Sequence, residues 1–511
     1  MNMLNIQFSQ EELRELVDRA VEAARGYIKS GRWGEAEAVL KQALRVDPEC
    51  QPALEMLSEL LTNHQKGEEA VEYYEKILAI KPNDFVSLNN AALCYQSLGK
   101  YDEAIAKLQQ CLELYPEPST YSNLALQYKE IGKTAEAFKL YNQGIEEHPF
   151  EPSLRYHYGI ALGEASRFDE AAEQYREAIR LNPDFASAHW NLGLVNLLLG
   201  NYKQGWEGYE WRFKHVAHFD KFRQRFKGKH WEGEPAEGEQ TILVYNEQGA
   251  GDTVQYARFL PQVKARGFRV VLEVLPELVE LLCQCEGVDE VVPMRYKKMP
   301  HHDYQVSIGS LPRILGVDAP SQELLWKGPY IRPTGTIPEK EFGAYADKFK
   351  IGICWAGNPV HAHDKTRSTF LKNFKALSEM PGVKLFSLQK DSRPRFWGGK
   401  GVVDLTEGCD NMGVVDMGDM LINFNYTAAI IKAMDMIVTV DTAVAHIAGA
   451  MGVPCHLLVS HIPDWRWGLN QKQSVWYPSV WYPSVRVVRQ LKPGDYTTRL
   501  KKIAYELKQK L

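Results

Sequence analysis

Apolar positions in the first part of the chain fall at helical spacing, in paired stretches split by short polar turns. The pairs repeat. Pro48, Pro82, Pro116, Pro149 and Pro183 recur every 33 or 34 residues, each closing a segment of one form (RVDP, AIKP, ELYP, EEHP, RLNP). Small residues recur upstream at matching offsets: Ala36, Ala70, Ala104, Ala137 and Ala171. Gly31, Gly99, Gly132 and Gly200 separate the paired patterns, and LGKYDEAIAKLQQCLELYP shows a whole unit. Five full repeats run from about 17 to 184, and a sixth passes through NLGLVNLLLGNYKQGWEGYEWRF. One such helix pair cannot bury its apolar face alone, so stacking predicts an α-solenoid with a concave groove over 1–225.

From Thr241 the pattern changes to short β-branched runs separated by helical stretches. TILVY, RVVLEV, DEVVP and YQVSI precede a linker, GPYIRPTGTIPEKEFG; KIGICWAG, VKLFSLQ, MDMIVTV and PCHLLVS follow it. Continuous apolar strands alternating with helices predict parallel sheets covered on both faces. Two Rossmann-like halves are expected, at 240–335 and 345–490, with a C-terminal helix over 491–511. Ligands in such sheets bind beyond the carboxyl ends of the strands. The polar and glycine residues lie there: NEQGAGD after TILVY, AGNPVHAHDKTRS after KIGICW, LQKD after VKLFS, DTAVAHIAGAMG after MIVTV and HIPDWRWG after HLLVS.

NEQGAGDTVQ is neither a P-loop nor a dinucleotide fingerprint, because Val254 stands where the third glycine belongs. Asp252 reads as an N-cap, with Gln255 three residues on completing a capping box, and a capping carboxylate can still face the cleft. Lys365 and Arg367 end the AGNPVHAHDKTRS loop, and Arg393 and Arg395 lie in a later one; clustered cations at a sheet edge suit a diphosphate, as they also suit plain solvation. His361 and His363 lack a carboxylate or cysteine cluster, so no metal site is expected. In TVDTAVAHIAGAMGVP, Asp441 and Thr442 cap a small-residue helix whose start suits phosphate, and His446 lies one turn in. A packed core histidine is the bland alternative. Trp465 and Trp467 can wall a base or sugar, and the tandem WYPSVWYPSV at 476–485 reads as a tolerated insertion. Asn90, Asn123 and Asn191 share one position in the first helix of repeats three, four and six, with Met56 and His157 breaking the row. An asparagine amide can bind extended peptide through one donor and one acceptor, or simply sit on an exposed face.

Composition narrows the partners. A net charge of -5 over 511 residues gives no reason to expect nucleic acid. No apolar run approaches a membrane span, and the start lacks a signal-peptide pattern. Eight scattered cysteines predict a reducing, cytoplasmic setting.

The repeat unit resembles the tetratricopeptide repeat. GAGDTVQYARFLP, ICWAGNPVHAHDKTRS, LFSLQKD and VDTAVAHIAGAMGVP resemble heptosyltransferase-like glycosyltransferases of the two-Rossmann GT-B fold. The fusion is similar to bacterial proteins akin to O-GlcNAc transferase and to flagellin-modifying transferases. The resemblance implies inverting transfer from a nucleotide-activated sugar, with no cofactor or metal. It implies Asp252 as general base. It places the donor at Gly251, Trp355, Asn358, Lys365, Arg367, Gln389, Asp441, Thr442 and His446. In the repeats of O-GlcNAc transferases, asparagines placed like Asn90, Asn123 and Asn191 hold the peptide. A protein acceptor bound in the groove follows, flagellin among the candidates, and the same repeats offer a surface for self-association. Two other readings stay open: a scaffold with a degenerate transferase half, and a transferase acting on a glycan or lipid-linked acceptor.

Overall fold

The computed structural model describes residues 9–318, 327–337, 342–361, 364–390, 395–396, 402–403, 409–469 and 476–511. Its first twelve helices pack in successive pairs, from Gln10–Lys29 with Trp33–Val46 to Ala186–Leu199 with Tyr202–Tyr209. Gly31, Gly99, Gly132 and Gly200 hold left-handed φ values between +71° and +87° in the turns within pairs. The two pairs without glycine there force Gln65 and Ser166 to φ +59° and +61°, a conformation that costs a side-chain-bearing residue roughly 1–2 kcal/mol. The recurring alanines, Ala36 to Ala171, are each fully buried, so the second helix of every pair lies against its neighbours with room for one methyl group. In the sixth pair Gly205 takes that place, and a Cβ there would stand 2.7 Å from Leu197. The helices of this pair also cross tightly, since a Cβ on Gly193 would meet the Gly208 backbone at 2.6 Å.

Further along, β1 (Lys229–His230), β2 (Thr241–Tyr245), β3 (Arg269–Val274), β4 (Glu290–Pro293) and β5 (Tyr304–Ser307) form a parallel sheet ordered β1-β5-β2-β3-β4. A second sheet contains β6 (Phe349–Cys354), β7 (Val383–Ser387), β10 (Val415–Asp416), β11 (Met436–Val440), β12 (Cys455–Val459), β13 (Trp476–Pro478) and β14 (Val485–Arg489). Between β7 and β10 in sequence, β8 (Arg395–Phe396) and β9 (Val402–Val403) form an antiparallel pair. The second sheet runs β10-β7-β6-β11-β12-β14-β13, parallel except for β13 at its edge. All eight runs expected as strands are strands. The strongest omission is β14, whose VRVVR alternates arginine with valine and so lacks a continuous apolar signal; the sheet nevertheless buries Val485, Val487 and Val488.

Strand order decides where loops can meet. In the first sheet the order reverses beside β2, between β5 and β3; in the second it reverses beside β6, between β7 and β11. Crevices in doubly wound sheets open at such reversals. The loops leaving β2, β6 and β11 therefore occupy the productive positions.

The chain divides into two units, Met1–Phe185 and Ala186–Leu511, so the sixth helix pair belongs with the sheets. The helix Thr497–Lys508 covers the second sheet with Leu500, Ile503 and Leu507. None of the eight cysteines is in a disulfide, and seven are buried. Among the described residues no helix is long and apolar enough to cross a membrane.

Candidate active site

The turn after β2 leads into a helix at Ala250–Tyr256 whose N-cap is Gly249. This corrects the expected cap: Asp252 lies in the first turn, and its Oδ2 accepts the Gly249 N–H at 3.0 Å. Gln255 does not complete a capping box. It is fully buried, and among the described residues neither atom of its amide finds a partner. The reason is local: Asn246 already ties the loop, accepting from Gln248 N and from Thr253 Oγ1, which starts the helix before Asp252. Asp252 keeps its second oxygen for another partner.

The turn after β11 leads into the helix Ala443–Met451, with Thr442 at the N-cap. Thr442 makes no side-chain cap bond; its hydroxyl lies 3.3 Å from that of Thr439. His446 is buried, its Nδ1 is 3.0 Å from the Tyr482 hydroxyl, and its ring packs on Trp467 at 4.9 Å. Burial, with Arg466 and Arg258 adding repulsion, lowers its pKa to about 3, so the imidazole is neutral. Here the two expected motifs meet. A Cβ on Gly251 would stand 2.8 Å from His446 Cδ2 and 3.3 Å from its Nε2. Glycine is what lets the two helix starts touch.

Arg367 joins them from the loop after β6. Its Nη1 donates to the Asp441 carbonyl at 3.1 Å, and its guanidinium lies over Gly357, where a Cβ would clash at 2.5 Å. Burial raises the Asp441 carboxyl to about 6; Asp464 adds repulsion, while Arg367, the Trp467 indole and Arg466 oppose it. Lys365 is exposed, so of the two basic candidates Arg367 is the one brought to Asp441. Gln389 is buried and spends its amide on Ala356, accepting from its N–H at 3.1 Å and donating to its carbonyl at 3.2 Å. It shapes the loop from behind. Trp355 is fully buried in the core of the second sheet, and Asn358 is an exposed turn residue whose Oδ1 accepts from Val360 N. His361 is exposed. His363 and Arg393, and the side chain of Arg395, lie outside the described residues. Among the described residues no group of three or more His, Cys, Asp or Glu is placed to hold a metal ion.

Several residues at the site carried no sequence signal. Arg466, in the turn after β12, pairs through Nη2 with Asp252 Oδ1 and through Nη1 with Asp464 Oδ1 at 2.9 Å. Burial opposes its charge, but those carboxylates outweigh burial and raise its pKa. Its flanking tryptophans do not form an open wall: Trp465 and Trp467 are buried, and Trp465 stacks edge-on with Trp206 at 5.3 Å. Arg466 Nε is buried without an acceptor among the described residues, while Arg367 Nε faces the Asp364 carboxylate at 3.6 Å and the Trp467 indole lies against the Asp441 carboxyl. Two guanidinium groups brought to one strand-end crevice suit an anion.

The tandem WYPSV is also part of the structure. Trp481 and Tyr482 of its second copy are fully buried, and the Tyr482 ring fills the space over Gly449. Arg258 ties this copy to the helix Ala250–Tyr256, donating to Trp481 O at 2.7 Å and to Gln255 O at 2.7 Å. A duplication is visible in sequence; the burial of Trp481 and Tyr482 is not.

The base of the Asp252 loop is clamped by the last repeat. Arg212 is fully buried and donates to Glu247 Oε1 at 2.5 Å, Glu210 Oε1 at 2.7 Å and Ser310 Oγ at 2.8 Å. Burial works against its charge, and Glu210 and Glu247 outweigh burial. Gln248 donates to the Tyr209 hydroxyl beside it.

Asn90, Asn123 and Asn191 are each the sixth residue of their helix and half-buried. Asn123 Nδ2 donates to Asn89 Oδ1 of the preceding repeat at 2.8 Å, so its free amide is already engaged.

Comparison with known proteins gives two kinds of match. Residues 21–85 and 84–146 match the tetratricopeptide repeat and 162–200 the TPR repeat, while 374–459 match glycosyltransferase family 9 (heptosyltransferase). Protein FlbA of Caulobacter vibrioides is 25% identical over 486 residues, 88% of this chain and 78% of that protein. Human protein O-mannosyl-transferase TMTC1 is 32% identical over 202 residues, 37% of this chain but only 22% of that protein. Among solved structures, PilW, a type IV pilus biogenesis factor, overlaps 41% of this chain and 97% of its own at 16% identity, TM-score 0.34. Pseudomonas aeruginosa pilF overlaps 42% and 99% at 20% identity, TM-score 0.32.

Proposed function

In a chain that joins tetratricopeptide repeats to a glycosyltransferase family 9 domain, we propose an inverting, metal-independent transfer of sugar from a nucleotide-activated donor to a protein hydroxyl. One observation carries this reading: Gly251 on the helix after β2 touches His446 on the helix after β11, Asp252 pairs with Arg466 after β12, and Arg367 after β6 binds the Asp441 carbonyl.

The acceptor hydroxyl attacks the anomeric carbon from the side of Asp252, whose carboxylate takes the hydroxyl proton. The bond from that carbon to the donor phosphate breaks, and the electron pair leaves on the nucleoside diphosphate. Arg367, the Trp467 indole and the start of the helix Ala443–Met451 supply fixed positive potential where that charge develops. No metal is needed for the step. His446, neutral and bonded to Tyr482, turns Nε2 toward Gly251 and serves as a neutral hydrogen-bonding partner for the sugar or phosphate.

The repeats bind the acceptor polypeptide, whose Ser or Thr is modified in the cytoplasm; flagellin is one candidate. TMTC1 is by name a protein O-mannosyl-transferase, a transfer of the same class. Asn90, Asn123 and Asn191 are the contacts proposed for peptide backbone, with Asn123 exchanging its bond to Asn89 for the peptide.

The experiment is a thermal-shift panel of UDP, GDP, ADP and CMP with their sugars, followed by transfer to a co-expressed flagellin read by intact mass. One nucleotide is expected to stabilise the chain, with the shift lost in His446→Ala. Stabilisation by none would sink the donor reading. Asp252→Asn is expected to keep nucleotide binding and abolish transfer; near wild-type transfer would remove Asp252 from the base role.

A further inference from the structure

The base role of Asp252 needs a carboxylate oxygen facing the acceptor, and Arg466 is paired with one of the two. Both carboxylate oxygens are engaged, Oδ2 by the Gly249 N–H and Oδ1 by Arg466 Nη2. The Arg466 side chain is only 11% exposed, and two of its three nitrogens bond carboxylates on different elements. One is Asp464, two residues away in its own turn; the other is Asp252, on the first sheet's helix. The third nitrogen, Nε, is buried with no acceptor among the described residues. The guanidinium is thus anchored at one end by Asp464, with one donor unused and another spent on the base. Its position also faces Asp441 and His446, whose ionisation it influences directly.

We infer that Arg466 is a donor-responsive latch: in the empty site it holds Asp252 in an ion pair, and an arriving diphosphate draws it off that carboxylate. This rests on the proposed transferase reading and adds an order of events to it. A phosphate carries more charge than a carboxylate and more acceptor oxygens, and a guanidinium forks onto either. Pivoting about Asp464, Arg466 exchanges one acceptor for another without losing its charge. Asp252 then regains the oxygen that an acceptor hydroxyl needs. Donor binding therefore precedes productive acceptor binding, and the base stays masked when no donor is present.

The latch makes a prediction that a merely structural arginine does not. Asp252 competes with phosphate for Arg466, so removing its charge must tighten diphosphate binding. Wild type, Asp252→Asn, Arg466→Gln and the double variant are titrated calorimetrically with UDP, GDP, ADP, CMP and inorganic pyrophosphate, each variant first checked for a cooperative melt. Arg466→Lys stands in if Arg466→Gln does not fold. Asparagine keeps the Gly249 hydrogen bond, so the loop is preserved. Asp252→Asn is expected to bind the preferred probe about fivefold tighter or more, Arg466→Gln about tenfold weaker, and the gain from Asp252→Asn is expected to vanish in the double variant. Unchanged or weaker binding in Asp252→Asn overturns the latch while leaving the transferase reading intact, as does a gain that persists without Arg466. Binding of no probe by the wild type overturns both.

Discussion

Burial leaves His446 uncharged at neutral pH, and the consequence can be measured. Its folded pKa of about 3 lies below the ~6.5 of an unfolded histidine. Between those values the unfolded chain takes up a proton that the folded chain refuses, so stability falls as pH drops from ~6.5 toward 3. Asp441 acts in the opposite direction: raised to about 6, it favours the folded state below ~4 and loses that contribution as pH rises through 6. His446→Gln isolates the first effect. Relative to wild type it should lose about 2 kcal/mol less between pH 7 and pH 5, read from urea unfolding at each pH; equal losses would mean that His446 can take up a proton in the folded chain. At this scale the sequence reading reached Asp252, Arg367 and His446, because each follows a strand end. It did not reach Arg466 or Arg212. A lone arginine among aromatics has no periodicity, and the role of each depends on a carboxylate outside its own segment: Asp252, 214 residues from Arg466, and Glu247, 35 residues from Arg212.

Two elements show how backbone geometry constrains residue choice. In the repeat turns, Ser166 occupies a left-handed position that four other pairs give to glycine. Ser166→Gly should stabilise the first unit by about 0.5–1 kcal/mol, the relief of left-handed strain less the greater entropy of unfolded glycine; a melting temperature that stays put or falls would contradict it. At the contact between the helices Ala250–Tyr256 and Ala443–Met451, Gly251 has no room for a Cβ. Gly251→Ala should displace His446 or its own helix start, weakening nucleoside diphosphate binding and lowering transfer by about a hundredfold, with the melt little changed. Normal affinity and transfer would show that this approach does not matter to the site. The repeats and the long strands were legible here because period and apolar runs survive locally. Strand β14 was not, since alternating arginines interrupt its run and only neighbouring strands explain its valines.

In the molecule as a whole, the unit Ala186–Leu511 contains a boundary that sequence similarity does not mark. Helix Tyr202–Tyr209 looks like the end of the repeats, yet Trp206 and Tyr209 pack on Trp465, Trp206 packs on Trp481, and Arg212 neutralises buried Glu247. A fragment of 186–511 should therefore fold with a cooperative melt. A fragment of 226–511 should be insoluble or bind hydrophobic dyes, because it strands Glu247 at a cost of about 3–5 kcal/mol and uncovers two tryptophans. Expression and melting of both fragments decide it, and equal behaviour would mean that the clamp is dispensable.

The sequence by itself determined the repeating helix pairs, the alternation of strands and helices, and the strand ends where polar residues collect. Those signals are periodic or local, so each is written within a few tens of residues. Tertiary structure alone decided that Gly251 touches His446, that Arg466 holds Asp252, that the second WYPSV copy supplies Tyr482, and that the last repeat clamps the Asp252 loop. These contacts join residues distant in the chain. They arise from the order of strands and from close packing, and no local pattern encodes either.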